Sequence, residues 1–136
     1  MLKKTITYTD YNGSERTEDF YFNLTETEIM EMFAKLHDES EFSDINRGLD
    51  EMIKDIIDAK STSELIATFK ELINMAYGKK SPDGRRFIKS EEITLEFTQT
   101  EAYSKLFMEL AFDADAAANF VNGIIPQKIT SLRVEN

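Results

Sequence analysis

Hydrophobic and polar positions alternate from the first residues of the chain. Leu2, Ile6 and Tyr8 fall on one side of an extended strand, with Lys3, Thr5, Thr7 and Thr9 on the other. Beyond Asn12-Gly13, Phe20, Phe22 and Leu24 share a side, opposite Thr17, Asp19, Tyr21 and Asn23. A period of two on both flanks of an Asn-Gly pair predicts a β-hairpin over 2–24 whose strands are each half buried. A two-residue turn at Asn12-Gly13 would set Ile6 across from Asp19 and mix the faces. The pattern therefore predicts an odd-length loop or a bulge, for instance one that pairs Ile6 with Phe20.

At Thr25 the period lengthens to that of a helix. Thr25-Glu26-Thr27-Glu28 is a capping box, in which Thr and Glu each satisfy an orphan backbone donor. Ile29, Phe33 and Leu36 follow on one stripe, which ends near the polar run His37–Glu41. A second helix is predicted from Ser43 or Asp44, with Ile45, Leu49, Met52, Ile53, Ile56 and Ile57 on its inner face. Gly48 within it costs about 1 kcal/mol against Ala. A third has caps at Ser61–Ser63, a stripe of Leu65, Ile66, Phe69, Leu72, Ile73 and Ala76, and Gly78 as its stop. Residues 79–90 read as a turn around Pro82, Asp83 and Gly84. Ser90 then caps a short helix with Ile93 and Phe97, and Thr100 caps one carrying Tyr103, Leu106, Phe107 and Leu110. Asp113 or Asp115 opens an Ala-rich helix through Phe120 and Val121, stopped by Gly123 and Pro126. The expected fold is α+β and mostly α, an N-terminal β-hairpin (2–24) followed by five or six helices (25–126). These form one compact domain over 1–126, followed by a short, flexible tail at 127–136.

Composition narrows function more than fold. With 41% hydrophobic and 31% charged residues in 136, the chain can bury a real core, which excludes wholesale disorder. Asp and Glu number 26 against 16 Lys and Arg, a net charge of −10. That balance opposes nucleic acid and anionic membrane surfaces as partners. The absence of cysteine removes disulfides, thiolate metal sites and cysteine nucleophiles, and the single histidine, His37, removes a His-rich metal centre. No cofactor loop is present. Met1-Leu2-Lys3-Lys4 leads into alternation and not into the apolar run of a signal peptide, and no run approaches a membrane span, so a cytoplasmic protein is expected.

Candidate chemistry is sparse. His37 sits beside Asp38 and Glu39 at a helix end, where a cation is favourable without any catalytic role. Asp113-Ala-Asp115 resembles an acidic metal pair, but a calcium loop needs glycine where Ala118 stands, and carboxylates belong at a helix start. Asp50, Glu51, Asp55 and Asp58 form the solvated face opposite an Ile stripe. Gly78-Lys79-Lys80-Ser81 lacks the earlier glycine of a phosphate-binding loop, residue 73 being Ile. The feature that stands out is Lys79, Lys80, Arg85, Arg86 and Lys89, five of sixteen bases within eleven positions of an acidic chain. Such a patch favours self-association or a protein partner. Met30, Met32, Met52, Met75 and Met108 lie among stripes expected to be core, with surplus apolar surface available to a partner helix.

Three longer blocks carry a resemblance: KKTITYTDYNGSERTEDFYFNLTETEI (3–29), AYGKKSPDGRRFIKSEE (76–92) and QTEAYSKLFMELAFDADAAANFVNGIIP (99–126), the last most specific in DADAAA…F-x-N-G-I-I-P. Together they resemble the tail assembly chaperones of long-tailed bacteriophages of low-GC Gram-positive bacteria. The resemblance implies a non-enzymatic protein that binds the long, helical tape measure protein in the cytoplasm of the infected host and keeps it soluble. It also implies help in assembling the tail tube protein around the tape measure, through a longer frameshifted form, and absence from the finished virion. No cofactor, nucleic acid or membrane is implied, and no residue roles carry over. The competing class is a phage accessory binding protein that inhibits or regulates a host protein; an enzyme ranks last, because no nucleophile–base pair or metal set is present.

Overall fold

The computed structural model of the chain describes residues 1–36 and 62–126. The two alternating runs form antiparallel strands, β1 (Leu2–Thr9) and β2 (Glu15–Phe22). The loop between them is odd, as the face pattern requires. Asp10 N–H donates to Ser14 O at 2.8 Å, and Gly13 N–H donates to Asp10 O at 3.0 Å. The Asp10 carboxylate also accepts from the N–H groups of Asn12 and Ser14, and Gly13 takes φ +83°, the left-handed position that closes such a loop. The register differs from the one anticipated: Lys4 lies opposite Phe20, and Ile6 opposite Glu18. The Asp10 side chain fixes the loop start one pair away from the pairing of Ile6 with Phe20. Both registers keep the faces in phase, so Ile6, Tyr8, Phe20 and Phe22 are buried. On the outer face Thr5 donates to Asp19 at 2.6 Å and Thr7 bonds Thr17 at 2.9 Å.

The capping box opens α1 (Glu26–Leu36) as expected: Glu28 N–H donates to Thr25 Oγ1 at 3.1 Å, and Thr25 N–H to Glu28 Oε1 at 2.8 Å. The anticipated second helix from Ser43 or Asp44, together with His37, the acidic face Asp50–Asp58 and the tail 127–136, lies outside the described residues. The next described helix, α2 (Thr62–Ala76), buries Phe69, Leu72, Ile73 and Ala76.

Past Ala76 the chain corrects the expectation. Gly78 does not cap the helix; α2 runs directly into a strand, β3 (Tyr77–Lys80). This strand pairs with β2 at Gly78 and Tyr77, then with β4 (Phe87–Ile88), giving a four-stranded sheet in the order β1-β2-β3-β4. Residues 79–90 are thus a second small hairpin and not merely a turn. A Cβ on Gly78 would meet the Phe87 ring at 2.7 Å and Ile88 O at 2.9 Å, so glycine is there for close approach.

Three capped helices complete the described chain. Ser90 Oγ accepts from Ile93 N–H to start α3 (Glu91–Thr98), and Thr100 Oγ1 accepts from Tyr103 N–H to start α4 (Glu101–Phe112). Asp113 opens α5 (Ala114–Ile124). Gly123 lies inside α5 instead of stopping it, against the Leu2 side chain, and the helix ends before Pro126. Ile124 O accepts from Leu24 N–H at 2.8 Å, tying the last described helix to the end of β2. The core is an aromatic stack between sheet and helices. Phe22, fully buried, lies 5.3 to 5.8 Å from the rings of Phe120, Tyr77 and Phe97, and Tyr77 stacks on Phe97 at 4.3 Å. The class is the expected α+β, with five helices among the described residues.

Candidate partner-binding surface

The five bases singled out by spacing lie on one hairpin, β3–turn–β4, but they are not equivalent. Lys79 Nζ pairs with Glu96 Oε1 at 3.3 Å in the open. Lys80 Nζ lies 4.4 Å from the centre of the Tyr21 ring, a cation–π contact. Lys89 turns inward, donating to Asn23 O at 2.7 Å and to both Glu28 carboxylate oxygens at 2.9 and 2.8 Å. Burial alone would push the Glu28 carboxyl up. The Lys89 hydrogen bonds and charge, with those from Thr25, outweigh it and hold the group below the usual carboxylate range. Lys89 is thereby a clamp between the β2–α1 junction and the entry to α3.

Arg85 and Arg86 differ from the other three. The turn that carries them is rigid: buried Ser81 donates from Oγ to Asp83 Oδ1 at 2.7 Å and accepts there from Arg86 N–H at 3.0 Å. Arg85 N–H donates to Asp83 Oδ1 at 3.0 Å, and Gly84 takes φ +75°. The hydrogen bond from Ser81, then that from Arg85 N–H, holds the Asp83 carboxyl below the usual range. The turn's acid is engaged internally, while Arg85 and Arg86 are exposed and, among the described residues, have no carboxylate partner.

A second surface was not singled out in the sequence. α4 buries Ala102, Leu106 and Leu110 and is tied to the β1 edge by Lys4–Glu109 at 2.9 Å and by Lys105 Nζ to Thr7 O at 2.8 Å. Its outer side carries Met108, 48% exposed, and one turn on Phe112, 80% exposed. Between α4 and β1 runs a groove of about 540 Å3 with Ile6 and Leu106 at its floor and Met108 on its rim. Met30 is also exposed and Met75 only half-buried against the core, so none of the expected core methionines with described burial is in the core itself; the side chains of Met32 and Met52 lie outside the described residues. Spacing alone held one signal for this: Met108 and Phe112 fall off the i, i+4, i+8 stripe set by Ala102, Leu106 and Leu110.

The remaining candidates have structural explanations. Asp113 is the N-cap of α5, accepting from the N–H groups of Asp115 and Ala116 at 3.0 and 3.1 Å. Among the described residues no group of three or more His, Cys, Asp or Glu is placed to hold a metal ion. Gly78-Lys79-Lys80 is strand, and no described helix is long and apolar enough to cross a membrane. Comparison with curated proteins and with solved structures finds no match. A family model does match, described as phage tail assembly chaperone, over residues 1–135, so the chain belongs to the phage tail assembly chaperone family.

Proposed function

We propose that this tail assembly chaperone binds the phage tape measure protein in the host cytoplasm, keeps it soluble and promotes assembly of the tail tube around it, as a binding factor without catalysis. The observation that carries the reading is the exposure of Met108, on the rim of the α4–β1 groove, and of Phe112 one turn further along the same helix. A long helical client in water exposes apolar side chains at i, i+3, i+4 and i+7, and the complementary site is an apolar groove with large anchors at its rim. An exposed Phe on a rigid helix supplies such an anchor at little cost in ordering. Copies along one long ligand would gain from contact with each other, which the exposed Arg85–Arg86 turn and the acidic remainder of the chain favour. A longer frameshifted form would carry the contact to the tail tube protein, and neither form would remain in the virion.

Co-expression of the tape measure with this chain tests the reading. The wild type is expected to keep the tape measure soluble and to co-purify with it. The double variant Met108→Glu, Phe112→Glu is expected to lose both effects while keeping its thermal unfolding midpoint, because neither side chain is in the core. A tape measure that stays insoluble beside the wild type, with nothing co-purifying, overturns it.

A further inference from the structure

Strand β2 is paired with β1 along all eight of its residues but with β3 only at Tyr21 and Phe22. The parity of the ladder fixes which groups that leaves. Ser14 O accepts from Asp10 N–H on the β1 side, and Asn23 N–H donates to Ala76 O on the β3 side. Even-numbered residues of β2 therefore serve β1, and odd-numbered ones face β3. Glu15, Thr17 and Asp19 lie ahead of the pairing with β3, so their N–H and C=O groups form a strand edge with no backbone partner among the described residues. Their side chains are exposed, on the sheet face opposite buried Phe20 and Phe22. On the core side the edge borders a cleft of about 530 Å3 with an apolar lining of Tyr8, Phe20, Tyr77 and Phe97. This cleft shares no lining residue with the α4–β1 groove. An open edge beside an apolar cleft takes up an extended segment unless something guards it.

Charge decides what this edge accepts. Asp19 accepts from the neutral Thr5 hydroxyl at 2.6 Å, and neither Asp19 nor Glu15 has a cation partner among the described residues. The cations lining the cleft are engaged, Lys79 with Glu96 and Lys80 on the Tyr21 ring. A second copy is a poor occupant. Two β2 edges paired antiparallel about Thr17 would set each Glu15 against an Asp19, and like charges directly opposite destabilise a sheet. We propose that the β2 edge captures, as an added strand, an extended segment of a partner protein in which basic and apolar residues alternate. The period of two puts the residues opposite Glu15, Thr17 and Asp19 on the outer face, where Lys or Arg meets the two carboxylates. The residues between them turn inward, and those beside Glu18 and Phe20 bring apolar side chains to the aromatic cleft. Followed antiparallel from Phe20 to Glu15, the complementary order is apolar, basic, apolar, polar, apolar, basic. Backbone pairing supplies affinity, and the carboxylates and the cleft select the sequence. This contact is separate from the helical client of the α4–β1 groove and does not rest on it.

Two end-capped hexapeptides titrated into the full chain test this, Val-Lys-Val-Thr-Val-Lys and its counterpart Val-Glu-Val-Thr-Val-Glu. In the free wild type the amides of Thr17 and Asp19 are expected to exchange rapidly with solvent. With the lysine peptide at about ten times its Kd, their exchange should slow about tenfold, and the glutamate peptide should leave it unchanged. The variant Glu15→Lys, Asp19→Lys moves the net charge from −10 to −6, each swap adding two, so the chain stays acidic. General attraction would keep its preference for the lysine peptide, whereas the edge contact predicts that the preference reverses. Thr17→Pro removes an N–H that the β1 ladder does not use and should lose the lysine peptide. A free wild type already protected at Thr17 and Asp19 overturns the proposal, because the edge is then filled. Lysine-peptide binding that leaves those amides unprotected, or that persists unchanged in the reversed variant, reduces the effect to attraction by an acidic chain and overturns it too. A lysine peptide that perturbs no resonance of the wild type does the same. None of these outcomes bears on the groove, which the variant Met108→Glu, Phe112→Glu tests.

Discussion

Gly78 and Gly123 both sit inside regular elements and owe their identity to different neighbours. At Gly78 an added methyl meets backbone, Ile88 O at 2.9 Å, as well as the Phe87 ring, so β3 and β4 would have to part. Gly78→Ala is expected to cost about 1–3 kcal/mol in urea unfolding. At Gly123 the nearest atom is the side-chain Cδ1 of Leu2 at 3.0 Å, near the chain's first residue, and the helix gains about 1 kcal/mol from alanine. Gly123→Ala should stay within about 1 kcal/mol of the wild type; equal costs at the two glycines would refute the distinction. Glu28 makes a prediction in pH. Its carboxyl is held below the usual range in the folded state despite partial burial, by Lys89 and Thr25. The stability it contributes is present above the unfolded value, near 4.3, and is lost as pH falls through the lower folded value. The gap in unfolding free energy between wild type and Glu28→Gln should be roughly 1–2 kcal/mol at neutral pH and close towards zero in acid. A gap that widens in acid would show the opposite linkage.

Elements that declare themselves locally were legible in the sequence. The caps at Thr25, Ser90, Thr100 and Asp113 are each set by a side chain and a donor two or three residues on, and all four open helices as anticipated. The β3–β4 hairpin was not legible, because four and two residues are too few to display alternation and the turn residues between them dominate the pattern. Its place in the sheet comes from pairing with β2, more than fifty residues away, which no local rule reports. The binding surface divides the same way. The basic cluster is visible as composition, but the inward turn of Lys89 depends on Glu28, and the spacing that sets Met108 and Phe112 off the Ala102–Leu106–Leu110 stripe becomes decisive only when that stripe is seen packed. With only two paired positions between β3 and β4, this hairpin depends on its turn. Gly84→Ala places a side chain at φ +75° and is expected to cost about 1–2 kcal/mol. The loss should appear first as faster hydrogen exchange at Ser81, whose N–H bonds Arg86 O, with β1–β2 amides little changed. Uniform acceleration across the sheet would show that the hairpin does not open separately.

At the scale of the whole molecule the charge is uneven. Residues 79–89 hold five bases and one acid, so the rest of the chain carries 25 acids against 11 bases, or −14 where the total is −10. Lys89 is tied to Glu28 and Lys79 to Glu96, which concentrates the outward positive charge at Arg85 and Arg86 on a turn already held rigid by Ser81 and Asp83. Two acidic bodies repel each other, and salt screens that repulsion. A basic turn set against a neighbour's acidic face attracts, and salt screens that too, so the sign of the salt dependence tells which dominates at the contact. Between about 0.1 M and about 1 M salt the screening length falls from about 10 Å to about 3 Å, enough to silence either effect for exposed groups. If the turn drives association, wild-type oligomers should dissociate as salt rises. The variant Arg85→Glu, Arg86→Glu changes the net charge from −10 to −14 and removes the attraction, so it should associate less at low salt and lose the salt-induced dissociation. Light scattering across that range decides it. Unchanged oligomer size in the variant at low salt would remove the turn from the contact.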